Sequence, residues 1–270
     1  MGYNMLHKTW SDLHIDYIYD INWNKQAFQD LVVDEEIKEL VQALVTRQIA
    51  SQKPTDSISG KGNGLILLLH GAPGTGRTFT AEGWPNSPKS RCIEATKVEK
   101  YLQAASHLAK LWDCVVLLDE EDVFLEDRDV RDLNRNAVVS VFLRALEYHD
   151  GILILTPNRV GTFDRAFKSR IQLSLHYENL TLGQRRKIWR NFMHRLRKVD
   201  AENVDIEDVL DHLEELGAED INGREIRNAI TIARQLAQFK EEKFCYSHLT
   251  RVLRVSGKFR KYLRFAGWAH

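Results

Sequence analysis

A parallel α/β sheet followed by a separate helical lid is the fold this chain predicts, and three observations predict it. Continuous apolar runs of strand length stand at 65–71 (LILLLHG), 114–120 (CVVLLDE) and 151–158 (GILILTPN). Uninterrupted runs suit strands buried on both faces, as in a parallel sheet. Helical patterns separate them, and strand–helix alternation builds a doubly wound sheet. From about residue 178 the helical period continues alone, so the last third predicts an all-helical domain.

The elements follow in order. Residues 1–26 mix aromatic and polar side chains (Tyr17, Tyr19, Trp23) and read as an N-terminal extension. A helix begins at Asp34, a capping residue with Glu35 and Glu36 in the first turn and a stripe of Leu40, Leu44 and Val45. SQKPTDSISGKGNG, rich in turn formers, is a loop leading to the first strand. After the glycines that end that strand a helix starts, and Pro85 and Pro88 stop it near Trp84. RCIEA at 91–95 suggests a short edge strand, and Thr96 with Glu99 forms a capping-box signature before a helix reaching Trp112. LNRNAVVSVFLRALEYH, from 133, repeats apolar residues every three or four positions. In the lid, Thr181 and Gln184 form a second capping box, and Asn222 caps NGREIRNAITIARQLAQF. With IEDVLDHLEEL and SHLTRVLRV these make a four-helix lid, its core at Trp189, Phe192 and Leu196. The divisions are 1–26 extension, 27–177 α/β core, 178–256 lid and 257–270 tail.

Composition excludes several classes. The chain has 270 residues, with 38 Lys and Arg against 38 Asp and Glu, and so lacks the basic excess of a dedicated nucleic-acid binder. Cys92, Cys114 and Cys245 lie far apart without metal-ligand spacing, as free thiols of a reducing compartment do. No apolar signal segment opens MGYNMLHKTW, and no apolar run reaches membrane-spanning length. An intracellular protein, in cytoplasm or nucleus and off the membrane, is expected.

The chemistry concentrates in GAPGTGRT, residues 71–78, between a buried strand and a helix start. Glycines let backbone amides turn inward toward phosphate oxygens, and the helix N-terminus adds the positive end of its dipole. Gly71, Ala72, Pro73, Gly74, Thr75, Gly76, Arg77, Thr78 and Phe79 are therefore the expected nucleotide-binding stretch, with the Thr78 hydroxyl for Mg2+. Arg77 stands where the G-x-x-x-x-G-K-[ST] pattern has lysine. Its planar fork keeps the charge but not the shape of an ammonium, so binding and hydrolysis can part company here. The second signal is VVLLDE: Asp119 would hold Mg2+ through water, and Glu120 would orient and polarise the attacking water.

GKGNGLILLLHGAPGTGRT, VVLLDEEDVFLEDR, RNAVVSVFLRALEYHDGILILTPNRVGTFDRAFKSRI and NLTLGQRRKIWRNF together resemble the AAA+ ATPase family, in particular fungal AAA-domain proteins, over residues 25–260. The resemblance implies an ATP hydrolase working with Mg2+ in a ring, hexameric in the family, with a protein as substrate. It also implies three roles by position. Asn158 matches sensor 1, which helps place the water. Arg170 matches the arginine finger that reaches a neighbouring subunit's nucleotide. Arg224 matches a sensor 2 arginine, with a helix-surface ion pair as the competing reading. The chain departs from the family at 79–114, 36 residues where two helices and two strands are usual, and no aromatic–glycine pore loop is evident there. Three functions follow: an ATP-hydrolysing core, a nucleotide-binding pseudo-ATPase scaffold, and a DNA-remodelling motor that the neutral charge disfavours.

Overall fold

The computed structural model describes residues 2–4, 9–12, 31–50, 64–77, 80, 89–90, 104, 106–109, 114–119, 133–157 and 165–265. Strands β1 (Gly2–Asn4) and β2 (Thr9–Ser11) pair antiparallel in a small sheet of their own. Helix α1 (Glu35–Ala50) starts where its acidic first turn predicts, with the Asp34 carboxylate accepting from the Glu36 amide at 3.1 Å.

The core sheet contains β3 (Leu65–Gly71), β4 (Lys89–Ser90), β5 (Val115–Asp119), β6 (Ile152–Thr156) and β7 (Leu173–Tyr177). Its spatial order is β4-β5-β6-β3-β7, and every pairing is parallel. Alternation along each strand explains the unbroken apolar runs. Ile66, Leu68, Val116, Leu118, Leu153 and Leu155 face one side, packed with Val139, Phe142, Leu143 and Leu146 of α2 (Leu133–Glu147) and with Phe167 of α3 (Arg165–Lys168). Leu65, Leu67, Leu69, Val115, Leu117, Ile152 and Ile154 face the other side, covered by Val41 and Val45 of α1. Each such aliphatic side chain stabilises the fold by about 1.5–3 kcal/mol when fully buried. Parallel strands place all their carboxyl ends on one edge, and ligands of open α/β sheets bind outside that edge.

Two details of the core add to the sequence reading. The edge strand beside β5 lies at Lys89–Ser90, just before the predicted 91–95, which is outside the described residues. Strand β7 was not foreseen. Its LSLHY is exposed at alternate positions, as an edge strand's outer face is, so it lacks the apolar run that betrays β3, β5 and β6.

The lid comprises α4 (Leu182–Val199), α5 (Ile206–Asp211), α6 (Leu213–Ala218), α7 (Gly223–Phe239) and α8 (Tyr246–Phe265). Both predicted caps form: Thr181 with Gln184 and Asn222 with Glu225 make reciprocal capping boxes. Trp189 and Met193 are wholly buried among Val209, Ile226, Ala233 and Leu249, and the Trp189 indole donates to the Leu216 carbonyl at 3.2 Å. IEDVLDHLEEL is two helices rather than the single one predicted. The break falls at His212, whose ring bonds the Asp208 carbonyl at 2.7 Å and stacks on Tyr246 at 4.0 Å. Helix α8 continues to Phe265, past the predicted lid boundary at 256.

Candidate functional site

The loop after β3 adopts the conformations that its glycines permit. Gly74 has φ 75° and Gly76 φ 106°, in the region that favours glycine. The Thr75 hydroxyl donates to the Ala72 carbonyl at 2.8 Å, closing the turn, while Pro73 stays exposed. The next helix begins at once. The Thr80 amide and hydroxyl both donate to the Gly76 carbonyl, at 2.8 and 2.9 Å, and Tyr177 of β7 donates to the Thr80 hydroxyl at 3.0 Å. Among the described residues, a Cβ on Gly76 would meet only Leu31, at 3.4 Å. Backbone amides turned inward ahead of a helix N-terminus are the donor set that fits phosphate oxygens.

Asp119 and Thr156 end β5 and β6 in direct register, and the Thr156 hydroxyl donates to Asp119 Oδ1. One residue on, the Pro157 carbonyl accepts from the Arg77 guanidinium, which is only 6% exposed. The end of β6 therefore touches one charged group from each motif, Arg77 and Asp119. Asn158 follows it in sequence.

The lid reaches the same place. The Gly223 amide, at the start of α7, donates to the Gly74 carbonyl at 2.9 Å. A Cβ on Gly74 would lie 2.4 Å from Asn222 Oδ1, so the phosphate loop and the lid cap are in contact. Leu31 lies beside Gly76 on the loop, and Ile188 of α4 lies 3.8 Å from a Cβ built on Gly223 at the lid contact. Arg224 is exposed in the first turn of α7.

Burial disfavours the charged forms of two groups beside the loop, His70 and Tyr177. His70, immediately before the loop, lies 3.1 Å from His176 of β7. Burial, then the charges of His176 and Arg77, hold it below the ordinary histidine range. Burial raises the Tyr177 phenol, so it remains a hydroxyl donor to Thr80. Farther away, burial pushes His149 down to about 4, and its Nδ1 lies 3.0 Å from the Ser106 hydroxyl.

Arg170 is held by its own chain. Its guanidinium donates to Glu147 Oε2 at 3.1 Å and to the Ala166 carbonyl at 2.8 Å. The two side chains are 26% and 38% exposed, and such partly exposed pairs are worth only about 0–1 kcal/mol. Gly71, Ala72, Pro73, Gly74, Thr75, Gly76, Arg77, Asp119, Arg170 and Arg224 thus have described positions, while Thr78, Phe79, Glu120 and Asn158 lie outside the described residues. Sequence reasoning passed over Thr156, Leu31, Ile188 and Gly223. Thr156 has a sequence signal, since it ends an apolar run as Asp119 does; Leu31 and Ile188 resemble any core aliphatic.

A glycine-rich phosphate loop on an inner strand of a parallel sheet, with an acidic end on a nearby strand, defines the P-loop nucleotide-binding class. The ATPase family associated with various cellular activities (AAA) matches residues 67–179, and the fungal AAA+ ATPase lid domain matches residues 180–267. The chain belongs to the AAA+ ATPase family, an AAA core followed by a fungal-type lid. Among curated relatives, it is 24% identical over 204 residues to 26S proteasome regulatory subunit 4 homolog B of Arabidopsis thaliana, covering 68% of this chain and 44% of that protein. To the 26S proteasome regulatory subunit 4 homolog of Schizosaccharomyces pombe it is 25% identical over 193 residues, 63% of this chain and 42% of the relative. The chain thus spans less than half the length of these relatives. A chain in the structure of the E. coli MS115-1 HORMA:CdnC:Trip13 complex shares the fold, with a TM-score of 0.62 at 14% identity, covering 87% of this chain and 92% of that one. Among the described residues no helix is long and apolar enough to cross a membrane.

Proposed function

We propose that this chain binds ATP with Mg2+ at residues 71–79, hydrolyses it to ADP and phosphate, and uses the cycle to remodel a protein partner. The observation that carries this reading is the hydrogen bond from the Gly223 amide to the Gly74 carbonyl. A lid tied directly to the phosphate loop must respond when that loop rearranges around a ligand. The loop amides, with the Thr78 hydroxyl, bind and orient the triphosphate. Bound Mg2+ would supply neutralisation of charge on the β- and γ-phosphate oxygens. Asp119 would hold the metal side through water, and Glu120 would orient the water that attacks the γ-phosphorus as the bond to the β-phosphate oxygen breaks. Asn158 helps hold that water. Arg170 exchanges Glu147 for the nucleotide of the next copy in a homo-oligomeric ring, six-membered by family resemblance, and Arg224 reports nucleotide state to the lid. An intracellular setting away from membranes and nucleic acids accords with this role.

A second reading, a nucleotide-binding pseudo-ATPase, has its own supporting observation. The Arg77 guanidinium is bonded to the Pro157 carbonyl, so the cation that should follow the γ-phosphate has another partner. The first reading is tested with Glu120→Gln, which keeps the shape of the side chain but removes its charge and turns one acceptor oxygen into a donor. ATP affinity is expected within about threefold of native, and phosphate release is expected to fall by about 10²-fold or more, the scale of one lost general-base or water-orienting group. Unchanged phosphate release in Glu120→Gln would remove Glu120 from the chemistry.

A further inference from the structure

We propose that Thr156 is a positioning residue for the metal-side carboxylate: its hydroxyl holds Asp119 Oδ1 and thereby fixes how that carboxylate is presented to a nucleotide–Mg2+ complex. The inference rests on reading Asp119 as the residue on the metal side of the site. It adds a residue that neither motif contains.

The geometry begins with register. Asp119 and Thr156 are the last residues of adjacent parallel strands and stand opposite each other. In-register residues project their side chains to the same face. Thr156 is only 2% exposed, so its hydroxyl needs a protein partner, and the Asp119 carboxylate is the better acceptor. The alternative acceptor, the Leu118 carbonyl, is at 3.4 Å, the long end of the hydrogen-bond range. β-Branching restricts the threonine rotamer, which aims the hydroxyl across the strand pair rather than letting it turn. A carboxylate at a strand end can rotate about its χ2 bond; a donor fixed on the neighbouring strand removes most of that freedom. A metal held through such a group is sensitive to orientation, and partners behind metal-side residues typically alter affinity by about 10–100-fold.

The test measures nucleotide affinity rather than turnover, using a fluorescent ATP analogue with the full chain, in excess Mg2+ and in EDTA. The native chain is expected to bind more tightly with Mg2+. Thr156→Val is expected to cut that Mg2+ advantage about tenfold, while metal-free affinity stays within twofold. Thr156→Ser, which keeps the hydroxyl, is expected to restore most of it. Thr156→Ala removes the hydroxyl without the second methyl and reads the same quantity should the valine variant fold poorly. Asp119→Asn separates the two levels of the argument. An Mg2+ advantage lost in Asp119→Asn but intact in Thr156→Val and Thr156→Ala overturns the positioning role alone. An advantage intact in Asp119→Asn as well overturns both that role and the metal-side reading of Asp119. Equal loss of Mg2+-bound and metal-free affinity in Thr156→Val and Thr156→Ser would reduce Thr156 to a packing residue and overturn the proposal.

Discussion

Arg170→Ala is expected to lower ATP turnover by about 10³-fold or more while leaving ATP affinity within about threefold, the signature of a finger that acts only on the transition state. In the isolated chain the guanidinium is engaged with Glu147 and the Ala166 carbonyl. The partly exposed ion pair costs little to break, so a neighbouring copy's nucleotide can compete for it. Mixing decides between action within one copy and action across two. Equal amounts of Arg170→Ala and Glu120→Gln chains, each inactive alone, are expected to regain measurable phosphate release. Some interfaces then join an intact Glu120 to an intact Arg170. Glu147→Gln serves as the control and should stay within a few-fold of native turnover. Absence of recovery in the mixture, with both variants folded and binding ATP, would confine Arg170 to its own chain.

Gly71→Ala is expected to cost about 4 kcal/mol or more of stability, at the exceptional end of single substitutions. Gly71 has φ 148°, and a Cβ there would lie 2.1 Å from the Tyr177 carbonyl oxygen. That oxygen belongs to the backbone of β7, paired in register with Gly71. No side-chain rotation relieves the clash, so β3 and β7 must separate where the sheet delivers the chain to the phosphate loop. Denaturant unfolding of the variant against native measures the loss, and ATP binding should fail with it. Native-like stability would show that β7 can yield at this point.

How much of this was legible in the sequence depends on whether the signal is local. The capping box at Thr181–Gln184 and the cap at Asn222 were readable because a cap and its partners lie within one helical turn. β3, β5 and β6 were readable because burial on both faces leaves an unbroken apolar run. Strand β7 was not, since an edge strand with an exposed alternate face carries no such run. The bond between Gly74 and Gly223 joins residues far apart in the chain, and no local pattern encodes it. Arg77 shows the same division. Its departure from lysine was visible at once, but its engagement with Pro157 depends on β6 lying beside β3 in the folded sheet. Thr156 gains its importance only through register with Asp119, which the sheet order supplies.

Steady-state phosphate release from ATP, measured across a range of protein concentrations for the native chain and for Arg77→Lys, tests the central claim most directly. The account predicts Mg2+-dependent turnover in the native chain, rising per subunit with concentration as Arg170 of one copy completes the site of the next. No phosphate release at any concentration, from a native chain that binds ATP, would contradict it. Rescue by Arg77→Lys would then assign the chain to the nucleotide-binding scaffolds.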